Sequence, residues 1–77
     1  MTNRLPNIRA AELIVVLERA GFLQARQKGS YVRLRHPDGR ATTVPMHPGE
    51  EIDRGFLRII LSQAGLTRAE FMALLQQ

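Results

Sequence analysis

Two turn signals stand close together in the middle of the chain, Lys28-Gly29-Ser30 and Pro37-Asp38-Gly39, and the segment between them reads YVRLRH. A run that short, with a glycine turn at each end, has no room for a helix, so it must pair with one strand before it and another after it. The neighbouring runs FLQARQ and RATTVP supply those strands. The spacing therefore predicts a three-stranded antiparallel meander in the centre of the chain. Strand alternation assigns the faces: Val32 and Leu34 are the apolar pair and must be buried, which leaves Tyr31, Arg33 and Arg35 together on the open face. Arg26 or Lys28 is expected beside them across the hairpin.

The flanks have a different period. Leu13, Val16, Leu17 and Ala20 recur at helical spacing with Ile14 beside them, so a helix is expected from about Ile8 to Ala20, ended by Gly21. After the loop MHPGEE, Asp53 is positioned to cap a second helix to about Ala64, with Phe56, Leu57, Ile60, Leu61 and Ala64 as its apolar stripe and Gly65 as its stop. Thr67-Arg68-Ala69-Glu70 has the pattern of a capping box, in which threonine and glutamate each satisfy an orphan backbone N–H, and it opens a third helix from Arg68 to about Leu75. The expected architecture is α+β, in the order α-β-β-β-α-α, with the helices layered on one face of the sheet and residues 1–77 forming a single domain.

A chain of 77 residues with no cysteine has neither a disulfide nor a cysteine-based zinc site to staple it, so its core must hold by packing. The absence of disulfides, of an apolar signal-peptide run in MTNRLPNIRAAEL and of any membrane-length apolar segment leads to the expectation of a cytoplasmic protein. Net charge is +4, and it is unevenly placed. Between Phe22 and Arg40 there are five basic residues, Arg26, Lys28, Arg33, Arg35 and Arg40, against the single acid Asp38, while the rest of the chain balances. Excess positive charge confined to one segment is the footprint of a surface that meets phosphates. Tyr31 adds a ring on which a base can stack. The same residues, taken alone, also suit a solvated sheet surface with no partner.

The two histidines give no metal signal, being neither spaced as a ligand pair nor joined by neighbouring carboxylates, and no cofactor is expected. His36 precedes Pro37 and alternation turns it away from Tyr31, which suits a role in shaping the turn. His47 lies in the loop before Pro48-Gly49.

Several ordered motifs together resemble the HicA family of toxins from bacterial toxin–antitoxin pairs: AELIVVLERAGF, RQKGSYVRLRHPDGR, TTVPMHPGEEIDRGFLRIILSQAGL and the closing Ala69-Glu70-Phe71. The resemblance implies a fold like that of double-stranded RNA-binding domains. It also implies the activity of an mRNA interferase and a HicB-type antitoxin that covers the active face. Family members carry a catalytic histidine directly after the Gly-Ser turn, and here that position is Tyr31. On this resemblance Tyr31 is the candidate catalytic residue, Arg26, Lys28, Arg33 and Arg35 are the candidate RNA contacts, and Gly29-Ser30 lets the RNA backbone approach closely.

The substitution bears on the chemistry. RNA cleavage through the neighbouring 2′-hydroxyl needs a group that takes its proton and cations that stabilise the charge growing at phosphorus. An ordinary imidazole is mostly free base at neutral pH, whereas an ordinary phenol is ionised in only about one molecule per thousand. An endoribonuclease weakened at this step and a module that binds RNA or the antitoxin without cutting are both compatible with the sequence.

Overall fold

Helix α1 begins where Glu12 can reach back to the chain: its Oε1 accepts the backbone N–H of Arg9 at 3.1 Å, and the helix runs Ala10–Arg19. The computed structural model describes residues 5–47 and 49–77, so the first residues of the N-terminal segment and Pro48 of the His47-Pro48-Gly49 motif lie outside the described residues. The expected start at Ile8 is corrected by this cap. Ile8 instead precedes the helix and is buried, its carbonyl accepting from Ile52 N–H at 2.7 Å, with the extended Arg9 bridged to Glu51 alongside.

The helix ends in a Schellman motif: Phe22 N–H reaches Leu17 O at 3.0 Å, Gly21 N–H reaches Glu18 O at 3.0 Å, and Gly21 takes φ 101°. Only glycine fits there comfortably, because a side-chain carbon at Gly21 would also sit 2.8 Å from His36 Nε2. Phe22 is thereby turned into the core, and the first strand starts one residue later than expected.

The meander follows as β1 (Leu23–Lys28), β2 (Tyr31–Arg35) and β3 (Ala41–Pro45), in sheet order β1-β2-β3 with both pairs antiparallel. Lys28 pairs with Tyr31, which leaves Gly29 and Ser30 as a two-residue loop. Gly29 has φ 58° while Ser30 stays out of the left-handed region, the φ pattern of a type II′ turn. Helix α2 (Arg54–Ala64) is capped by Asp53, whose Oδ2 accepts Phe56 N–H at 3.1 Å, and α3 (Arg68–Leu75) by the reciprocal Thr67 and Glu70 bonds.

Val32, Leu34 and Val44 from the sheet meet Leu13, Val16 and Leu17 of α1, Leu57, Ile60 and Leu61 of α2, and Phe71 of α3 in one buried cluster. Thr42 is fully buried with them, its hydroxyl donating to Gln63 Oε1 at 2.9 Å so that no bare polar group is left in the core. Phe56 departs from the expected stripe: it is 38% exposed, beside Pro45 at the end of β3. The α+β layering in the order α-β-β-β-α-α is as expected, and it is consistent with a fold like that of double-stranded RNA-binding domains. It leaves the second sheet face uncovered.

Candidate nucleic-acid interface

The open face is ordered by strand register. Along β2, Arg35, Arg33 and Tyr31 are exposed in alternation with buried Leu34 and Val32. Each has a neighbour on either side: Arg35 lies between Leu23 and Ala41, Arg33 between Arg26 and Thr43, Tyr31 between Lys28 and Pro45. Cross-strand partners share a face. Tyr31, Arg26, Lys28, Arg33 and Arg35 are therefore all brought to one surface, with Gly29 and Ser30 at its end.

A β-bulge produces that arrangement. Between Gln24 and Arg26 the register shifts by one residue, so Ala25 is the extra residue opposite Arg33. Strict alternation from Leu23 would have put Arg26 and Lys28 on the helix side. With the bulge, their partners become Arg33 and Tyr31, and two more cations join the open face. Ala25, Arg26, Arg33 and Arg35 line one shallow depression of about 380 Å³. Nothing in the spacing of FLQARQ marks the bulge, because β1 is exposed along its whole length and shows no apolar alternation to read.

Thr43 is a further residue of this surface that the motifs do not single out. Its Oγ1 accepts from an Arg33 guanidinium N–H at 3.0 Å, which holds that side chain across the sheet. The register signal was available: pairing YVRLRH with RATTVP about the second turn puts Thr43 beside Arg33.

The acid of the basic segment is engaged elsewhere. Asp38 receives Arg40 N–H at 3.0 Å and Arg40 Nε at 2.8 Å, and its Oδ1 lies 3.0 Å from His36 Nδ1. The backbone hydrogen bond from Arg40, above all, holds the Asp38 carboxyl below its ordinary range. Arg40 also reaches the Ala64 carbonyl at the end of α2 and stands 5.4 Å from the Phe22 ring centre. Arg40 is thus a structural arginine. Among the described residues Arg40–Asp38 is the only pairing of an arginine or lysine with a carboxylate, so Arg26, Lys28, Arg33 and Arg35 face solvent with no carboxylate partner.

His36 stands edge-on to Phe22, with ring centres 5.2 Å apart, and its Nδ1 accepts Asp38 N–H at 3.1 Å, which fits the turn-shaping role. His47 is exposed in the loop after β3, in a notch with Pro45, Glu50, Glu51, Ile52, Asp53 and Phe56. Among the described residues no group of three or more His, Asp or Glu side chains is placed to hold a metal ion, and no helix is long and apolar enough to cross a membrane.

The family model for the HicA toxin of bacterial toxin–antitoxin systems matches residues 10–66, from the first residue of α1 to just past α2. The chain belongs to the HicA toxin family. No curated protein matches it at a significant level. Membership makes the chain the toxin side of a toxin–antitoxin pair and implies an antitoxin partner. The matched segment contains the entire open face.

Proposed function

We propose that this HicA-family chain is an mRNA-directed toxin whose open sheet face binds single-stranded regions of RNA and supports their cleavage, and whose partner is a HicB-like antitoxin. One observation carries the reading: four cations without a carboxylate partner among the described residues and an exposed tyrosine share one sheet face inside the family match. In the reaction the 2′-oxygen attacks the adjacent phosphorus, its proton leaves to a base, and the 5′-oxygen departs with a proton of its own, giving a cyclic phosphate and a new 5′-hydroxyl. Arg33 and Lys28 flank Tyr31 and are placed to neutralise the charge growing on the non-bridging oxygens. Tyr31 supplies a ring for stacking and a phenol that can donate a proton. An ordinary phenol is a poor base at neutral pH.

That last point favours a second reading, in which the surface binds RNA or antitoxin and cuts little or nothing. The two separate on one experiment, fragment release from a labelled message by the purified parent, Tyr31→His and Tyr31→Phe proteins. If the face holds the phosphate and lacks only a base, Tyr31→His raises cleavage at neutral pH on the order of a hundredfold. Tyr31→Phe should bind RNA as the parent does and lose any residual cleavage that uses the hydroxyl. A folded Tyr31→His protein that binds RNA and cuts no faster than the parent would move the assignment to the binding module.

A further inference from the structure

Strand β1 differs from the rest of the sheet. All six of its residues are exposed, it pairs on one side only, and Leu23 at its start is 66% exposed. The helix layer barely supports it: on the helix side its residues are Gln24 and Gln27, with Gln24 donating to Glu18 of α1 at 3.3 Å. The ladder tells which backbone groups are free. Met46 N–H bonds to Ser30 O and His36 N–H to Arg40 O, so the even-numbered residues of β2 exchange hydrogen bonds with β3. The odd ones, Tyr31, Arg33 and Arg35, then exchange theirs with Lys28, Arg26 and Leu23, and the N–H and C=O of Gln24 and Gln27 point away from the sheet.

We propose that this outer edge of β1 is where an extended acidic strand of the antitoxin adds to the sheet. The inference deepens the toxin–antitoxin reading and rests on it. Gln24 and Gln27 offer outward N–H and C=O groups on either side of the bulge, and free groups of that kind are what a peptide strand satisfies. The charges select its composition, since Arg26 and Lys28 project from β1 onto the open face, Arg33 and Arg35 lie next to them, and β1 contains no acid. A second copy of β1 in this position would set cations against cations and is disfavoured. An alternating acidic strand places carboxylates beside Arg26 and Lys28 on the open face and turns its apolar side chains to the helix side, next to Gln24 and Gln27. Strand β3 is the weaker edge, because it closes on Pro45, which has no N–H to offer. An antitoxin strand here would widen the sheet by one strand and bring its carboxylates to the rim of the surface where RNA is read.

The test uses a short blocked peptide of alternating glutamate and valine, with a lysine-for-glutamate version as control, added to the isotope-labelled full chain. The glutamate peptide should bind, the lysine peptide should not, and amide exchange at Gln24 and Gln27 should slow by about tenfold or more while the β2 amides keep their rates. Gln27→Pro removes one outward N–H that no ladder bond uses, so it should weaken the peptide about tenfold and leave RNA affinity and the thermal melt unchanged. No binding, or binding that leaves the Gln24 and Gln27 amides unprotected, overturns the proposal. Equal affinity for the folded Gln27→Pro protein overturns it too. Should the proline variant melt early, amide exchange in the parent decides alone. RNA affinity is measured on the same samples, so loss of the RNA reading with strand addition intact is distinguishable from the reverse.

Discussion

Thr43 and Arg33 show how much a single hydroxyl contributes to a surface of this kind. An arginine on an open sheet samples many rotamers, and each phosphate contact it makes must first overcome that freedom. The Thr43 hydroxyl, accepting from Arg33 at 3.0 Å, limits it. Thr43→Val keeps the β-branched shape and removes the acceptor, so RNA affinity should fall by about threefold to tenfold, the range of one modest hydrogen bond, with the melting temperature unchanged. Thr43→Ser should restore it. An equal loss in the valine and serine variants would assign the effect to packing. The arginines, Tyr31 and the turn glycines could be read directly from YVRLRH and its two turns, because alternation between fixed turns leaves each side chain one face. Thr43 became visible only through register, and that Arg26 and Lys28 both reach the open face depended on a bulge that leaves no trace in composition. Arg40 counted as one more cation of the basic segment, yet it is held by Asp38 and the Ala64 carbonyl, contacts that only the folded chain reveals.

The connections between elements carry as much of this fold as the elements themselves. At the α1 to β1 junction, Gly21 at φ 101° lets Phe22 enter the core and leaves room for His36 to stand against it. Gly21→Ala meets both a left-handed backbone penalty and the His36 ring, so it should cost about 2 kcal/mol and lower the melting temperature on the order of 10 °C. At the other junctions two carboxylates hold turns. The backbone hydrogen bond from Arg40 lowers the pKa of Asp38 below its ordinary 3.8, and the backbone bond from Thr67 lowers that of Glu70 below 4.5. A carboxyl depressed in the folded state gives stability that is whole above its unfolded pKa and is lost as pH falls through the folded one. The parent should therefore melt above Asp38→Ala and Glu70→Ala near neutral pH. That advantage should shrink as the pH drops below the two ordinary values and be gone once both folded-state carboxyls are protonated. Thermal melts of the three proteins across that range check it, and a gap that persists in strong acid would place the stabilisation outside these charges. Helix ends at Gly21, Asp53, Gly65 and Thr67 could be read in the sequence because caps are local chemistry. The start of α1 could not, since the Ile8 carbonyl is taken by the N–H of Ile52, far along the chain.

At the scale of the molecule the charges are sorted by layer. The helical side also carries arginines, among them Arg58 and Arg68, which flank a shallow site over Leu5, Leu61 and Leu66, so a positive charge by itself does not define the proposed nucleic-acid surface. What distinguishes the sheet face is four cations with no carboxylate partner among the described residues, on one platform beside an aromatic ring. A single-stranded nucleic acid releases about 0.7 of a counterion for each phosphate that a side chain neutralises, so affinity falls with salt in proportion to the number of contacts. Replacing Arg33 and Arg35 together by alanine should therefore flatten the slope of log affinity against log salt by about 1.4, and weaken binding to all RNA sequences alike. Replacing Arg58 and Arg68 removes the same formal charge from the whole molecule but none from the platform. Long-range attraction should then weaken slightly while the slope stays near that of the parent. A salt titration of RNA binding by the parent and the two double variants makes the comparison, with folding matched by thermal melts. Equal flattening in both pairs would mean that RNA responds to net charge rather than to the sheet face, and the bulge, the Thr43 contact and the strand register would then have no bearing on how this protein meets RNA.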